Sequence, residues 1–128
     1  MLYTVNRGNT GRPPGCQTNI VHLVTSVDAA LKLGRAWAVS DVNAGAGYAT
    51  FSNSLAALDD LDWGAIRATQ WKGRQHVKAA EFLIADRFGW SSLTAIGTHN
   101  ATIANQVRKI VSAQSAKPEI RIEPSWYY

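Results

Sequence analysis

Apolar positions along this 128-residue chain come in short runs broken by glycine, proline and polar clusters. That rhythm predicts brief strands and short helices rather than long ones. Leu2 to Arg7 alternates like a strand and stops at Gly8. Asn9 to Thr18 holds glycines and the pair Pro13-Pro14 and reads as a loop. Ile20 to Val24 is the next strand. Ser26 is placed to cap a helix over Val27 to Leu33, which Gly34 closes. Trp37 to Val39 predicts a strand leading into Ser40-Asp41. Asn43 to Phe51 is rich in Ala and Gly and predicts a close-packed helix. On that helix Tyr48 and Phe51, three apart, share a face and read as core. Asp62 can cap a helix over Trp63 to Thr69, and Gln70 to His76 is polar and exposed.

Ala79 to Ala85 is almost wholly apolar and reads as a buried strand, followed by a turn through Asp86 to Gly89. Leu93 to Gly97 is another strand. Asn100 to Ser112 is a helix with Ile103, Val107, Ile110 and Val111 on one face. Glu119 to Ile122 alternates as a last strand, and Trp126-Tyr127-Tyr128 reads as an aromatic anchor for the tail. Strands and helices mix without a βαβ rhythm. The expected class is therefore α+β, a mixed β-sheet core with peripheral helices, in one domain over residues 1–128.

One acid breaks this pattern. Glu81 sits inside the apolar run, and the other two glutamates, Glu119 and Glu123, lie near the C-terminus. A carboxylate in such a place must be hydrogen-bonded, paired or open to a cleft, because burying it bare is costly. Two readings follow: a structural ion pair with Lys78, Arg74 or another base, or a catalytic acid aimed by a rigid strand.

Composition narrows the choices. Hydrophobic residues make up 46% and charged residues 17%, an ordinary globular balance, and no apolar stretch approaches the length of a membrane span. The net charge of +4 suits an anionic partner such as a nucleic acid. One cysteine, Cys16, allows no internal disulfide, and His22, His76 and His99 have no zinc spacing, so no metal is expected. With no signal peptide in view, a cytoplasmic location is expected. Trp71 to Lys78 interleaves an aromatic with Lys72, Arg74 and Lys78. An aromatic can stack on a base while cations hold phosphates, which suits single-stranded DNA; the alternative is a solvated surface loop.

Four segments carry a family resemblance: Met1-Leu2-Tyr3-Thr4-Val5-Asn6-Arg7-Gly8-Asn9; Ser40-Asp41-Val42-Asn43-Ala44 running on to Tyr48-Ala49-Thr50-Phe51; Ala80-Glu81-Phe82-Leu83-Ile84 followed by Trp90; and the terminal Trp126-Tyr127-Tyr128. In this order and spacing the chain resembles the DarT family, toxin enzymes that ADP-ribosylate bases of single-stranded DNA. The resemblance implies an ADP-ribosyltransferase-like fold, NAD as substrate and no metal. Glu81 would hydrogen-bond the nicotinamide ribose and stabilise an oxocarbenium-like state. It would also assist removal of a proton from the target base.

The segment holding Asp41 and Asn43 would shape the DNA side, where either could also simply cap a following helix. Arg7, Arg12 and His22 are further candidates for contacts with NAD or DNA, although His22 sits mid-strand and fits a core role. A macrodomain antitoxin of the DarG type is the implied partner. The family's NAD-gripping histidine and arginine are expected before Met1, and Gly45-Ala46-Gly47 is no dinucleotide fingerprint. The chain is thus expected to be the C-terminal two thirds of such an enzyme. The alternatives are a shortened relative that only binds nucleic acid, or a fragment without function.

Overall fold

The structure, a computed structural model, describes residues 5–8, 11, 13–68, 70 and 72–128. The chain divides into two compact units, residues 30–88 and the flanking segments 1–29 with 89–128.

The flanking segments build a three-stranded sheet from β1 (His22–Val24), β5 (Ala95–Thr98) and β6 (Glu119–Ile122), with β5 in the middle. β5 runs antiparallel to β1 and parallel to β6. Parallel neighbours need a crossover, and α3 (Ala101–Val111) supplies it. Asn100 caps α3, its Oδ1 accepting the Ile103 N–H at 3.0 Å. Ile96, Val107 and Val111 form the buried centre, with Val21, Trp90, Ile103 and Ile120 packed around them. Ile110 was expected on the same buried face but is 72% exposed. An apolar stripe spanning i, i+4, i+7 and i+8 is wider than this small sheet can cover.

The C-terminal aromatics dock as an anchor in this unit. The Tyr127 hydroxyl donates to the Ile20 carbonyl at 2.7 Å, and the buried Gln17 side chain bonds both the N–H and the carbonyl of Tyr128. Trp126 lies so close over Gly97 that a Cβ there would stand 2.3 Å from the indole ring. The strand expected over Leu2 to Arg7 is not found in its described part. Val5 and Asn6 are helical and Gly8 closes a turn, its N–H on the Val5 carbonyl at 3.1 Å and its φ at +78°. Left-handed backbone of that kind suits glycine and ends extended structure. Met1 to Thr4 lie outside the described residues.

Residues 30–88 build a second three-stranded sheet around β2 (Trp37–Ser40), with β3 (Phe51–Ser52) on one side and β4 (Glu81–Ile84) on the other, all antiparallel. The short helix α1 (Val27–Leu31) leads in from the other unit, with Ser26 Oγ accepting the Ala29 N–H and Gly34 closing at φ +63°. α2 (Trp63–Arg67) begins at Asp62, whose Oδ1 accepts the Ala65 N–H at 2.8 Å. It ends at Arg67 with Ala68 in extended backbone, and Thr69, the expected last residue, lies outside the described residues.

The helix expected over Asn43 to Phe51 does not form. Asn43 Oδ1 accepts the Gly45 N–H at 3.0 Å, successive turns follow, and Phe51 enters β3. Asparagine competes for backbone donors and two glycines weaken a helix, so composition alone misleads here. Tyr48 and Phe51, expected in a core, are 69% and 56% exposed.

Among the described residues no helix is long and apolar enough to cross a membrane, and no group of three or more His, Cys, Asp or Glu could hold a metal ion.

Candidate active site

Register places the acid. β2 and β4 pair so that Ser40 stands opposite Glu81 at the start of β4. Ser40 is fully buried, and its hydroxyl links two backbone groups: Oγ accepts the Glu81 N–H at 3.2 Å and donates to the Val42 carbonyl at 2.6 Å. The end of β2 is thereby tied to the residue that carries the carboxylate. The turn after β2 then reaches back to it. The Ala44 N–H donates to Glu81 Oε2 at 2.8 Å, and the Asn43 side-chain amide donates to Oε1 at 3.4 Å. Because Asn43 Oδ1 is held by the Gly45 N–H, its amide nitrogen is left facing the acid.

Asp41 closes the base of the same loop. Its Oδ1 accepts the Thr50 N–H at 2.9 Å, and its own N–H donates to the Thr50 carbonyl at 3.4 Å. The Thr50 bonds hold the Asp41 carboxyl below its ordinary pKa. Asp41 therefore braces the turn that carries Asn43 and Ala44, and caps no helix.

The half-buried Glu81 takes part in no ion pair among the described residues. Both bases expected to neutralise it are engaged elsewhere. Arg74 lies 3.7 Å from Asp62, and Lys78 donates to the carbonyls of Ile66 and Ala68 at 2.5 and 2.9 Å. A carboxylate offers about four acceptor positions. With two filled by Ala44 and Asn43, the group is aimed but retains capacity for a hydroxyl or another donor. Such an arrangement can hold a negative charge in a fixed place and accept a proton or a ribose hydroxyl.

Other candidates fall out as follows. Lys72, Arg74 and His76 are exposed on the segment between α2 and β4. Trp71 and Arg12 lie outside the described residues, and Arg7 is exposed. His22 belongs to the other unit, edge-on to the rings of Trp126 and Tyr127 at 5.5 and 5.0 Å. Its Nε2 is buried with no hydrogen-bond partner among the described residues, unlike the satisfied core histidine that its place in the strand suggests, and burial lowers its pKa. Side-chain reasoning overlooked two participants, Ser40 and the Ala44 N–H. The serine ending a strand was their only sequence signal, since a backbone donor carries no residue-type signature.

Comparison with known proteins gives the family. The family model described as "ssDNA thymidine ADP-ribosyltransferase, DarT" matches residues 1–128. A DNA ADP-ribosyl transferase of Thermus aquaticus (strain ATCC BAA-2747 / Y51MC23) is 35% identical over 130 residues, covering 100% of this chain and 58% of the relative. That of Thermus sp. (strain 2.9) is 32% identical over 133 residues, covering 63% of its length. The solved structure of Thermus sp. 2.9 DarT in complex with ADP-ribosylated ssDNA superposes with a TM-score of 0.91 at 31% identity, over 99% of this chain and 63% of the other. The same protein in complex with NAD+ gives the same score, with 66% of that chain covered. This chain thus spans about three fifths of the length of the relatives it matches. With a family match over its whole length and the α+β fold of a solved member, the chain belongs to the DarT family.

Proposed function

We propose that this chain provides the catalytic glutamate and part of the DNA surface of an enzyme that transfers ADP-ribose from NAD to a base of single-stranded DNA. The family description names thymidine, which makes thymine the proposed acceptor. The observation that carries the reading is the Glu81 carboxylate, set on a strand, aimed by Ala44 and Asn43 and in no ion pair among the described residues. In the proposed reaction the bond between the nicotinamide ribose and nicotinamide breaks, and nicotinamide leaves with the electron pair. Positive charge grows on the ribose, and the fixed anion of Glu81 stabilises it while accepting a ribose hydroxyl. The base gives up a proton, with Glu81 assisting, and bonds to the ribose carbon.

Lys72 and Arg74 would contact phosphates, and Trp71 would stack on a base. Asp41 and Asn43 would shape the DNA side through the turn they hold, and Asn43 also orients Glu81. The same proposal includes a cytoplasmic toxin restrained by a macrodomain antitoxin of the DarG type, as the family resemblance implies. No metal enters the reaction as proposed.

The test is the mass of a thymine-containing single-stranded oligonucleotide incubated with NAD. The proteins compared are the 128-residue chain, the chain together with its in-frame upstream sequence, and Glu81→Gln versions of both. Transfer by a parent protein, reduced roughly 100-fold or more in its Gln version, is the expected result. Equal transfer by parent and Gln version would overturn the role of Glu81. DNA binding without transfer by either parent would favour a nucleic-acid-binding module.

A further inference from the structure

The basic segment between α2 and β4 touches both ends of α2, and Lys78 makes one of the two contacts. α2 is only five residues long, so its last carbonyls have no continuing helix to take them. The Lys78 ammonium fills that place, bonding the carbonyls of Ile66 and Ala68 at 2.5 and 2.9 Å. A cation at a helix C-terminus also meets the favourable end of the peptide dipoles. At the other end of α2, Arg74 lies 3.7 Å from Asp62, the residue that caps the helix. Backbone bonds tighten the return: the Lys78 N–H reaches the Arg74 carbonyl and the Ala79 N–H reaches that of His76. The segment therefore folds back along α2. Its exposed residues, Gln70 and Lys72 to His76, form the outer rim, and Lys78 lies inward, half-buried. Three residues after Lys78 the chain reaches Glu81.

We propose that Lys78 is a positioning residue and not a phosphate contact. Its ammonium staples the basic loop to the end of α2, setting where Lys72 and Arg74 stand relative to the Glu81 carboxylate. This rests on the DNA reading given above for the loop. Two carbonyl partners occupy a group with three donors. Leaving them for a phosphate would strand two half-buried carbonyls, a cost that a solvated lysine on the rim does not carry. Lys72 is such a rim lysine.

Lysine acetylation of the unmodified chain, read by mass spectrometry, tests the staple directly. Lys78 should react several-fold more slowly than Lys72 with no DNA present. Adding a single-stranded oligonucleotide should then slow Lys72 and leave Lys78 unchanged. Equal reactivity of the two lysines without DNA would overturn the staple, whatever the loop binds. A slow Lys78 with no protection of Lys72 by the oligonucleotide would keep the staple and overturn the loop's DNA role.

Salt dependence of oligonucleotide binding separates the two kinds of residue. Lys72→Gln should flatten the slope of log K against log salt by about 0.7, one single-strand phosphate contact. Lys78→Met should leave that slope unchanged while weakening binding several-fold through the loosened loop. A slope change in Lys78→Met equal to that of Lys72→Gln would make Lys78 a phosphate contact and sink the proposal.

Discussion

At the scale of single residues, the Glu81 site depends on short polar links rather than on charge pairing. Ser40 is the one to test first. Its hydroxyl bridges the Glu81 N–H and the Val42 carbonyl while fully buried. Ser40→Ala should strand two backbone groups and cost about 1–3 kcal/mol, read as a lower denaturant midpoint with unchanged slope. An unchanged midpoint would mean that the local backbone rearranges without penalty.

His22 makes a pH prediction. Burial depresses its folded-state pKa, so the native form resists the proton that the unfolded chain accepts. Above the unfolded pKa of about 6.5 the effect is absent. As pH falls through that value stability should drop, and the loss should level off only below the depressed folded pKa. A His22→Leu variant should show a shallower stability loss between pH 7.5 and 5. Identical profiles for the two proteins would remove His22 as a source of acid sensitivity.

At the scale of elements, close approach decides which pieces can be altered. β5 carries Gly97 directly beneath the Trp126 ring, so Gly97→Ala should overpack and displace the tail. A loss of about 1–3 kcal/mol is expected, with a shift in tryptophan emission as the indole moves into water. An unshifted spectrum and melt would show that the tail yields without cost. On the other sheet, the turn from Asp41 to Thr50 is closed at its base by the Asp41–Thr50 bond and held within by the Asn43–Gly45 bond. It delivers the Ala44 N–H to Glu81 Oε2 and, through the Asn43–Gly45 bond, turns the Asn43 amide toward Oε1.

At the scale of the whole molecule, charge and exposed apolar surface govern behaviour in solution. The net charge of +4 with Lys72 and Arg74 on an exposed rim favours polyanions. Single-stranded DNA should bind more tightly than duplex, and replacing both residues with Gln should flatten the salt slope by about 1.4. Next to the Ile96–Val107–Val111 core, Leu23 and Ile110 leave an apolar groove open, at 59% and 72% exposure. Contiguous apolar surface of this kind promotes association. The 128-residue chain should self-associate at micromolar concentration, and Leu23→Lys with Ile110→Glu should reduce light scattering. A monodisperse parent would show the groove to be harmless.

Much of this protein follows from local order in the chain. Helix starts at Ser26, Asp62 and Asn100 are legible because a cap acts within three residues of itself. The strand Glu119–Ile122 is legible because alternation is a local property. Glu81 stands out for the same reason, as one acid in an apolar run. What local order could not supply are the partners across gaps of 37 to 41 residues: Ala44, Asn43 and Ser40 on Glu81. Those depend on strand register, and register is chosen by the whole sheet at once. The Asn43–Phe51 segment was misread because its Ala-rich composition favours a helix, whereas sheet pairing at Phe51 and the Asp41–Thr50 bonds require a turn. Lys78 completes the contrast. Its charge was plain in the sequence, but only the fold brings the carbonyls at a helix end to meet it, which is the basis for proposing a positioning role in place of a phosphate contact.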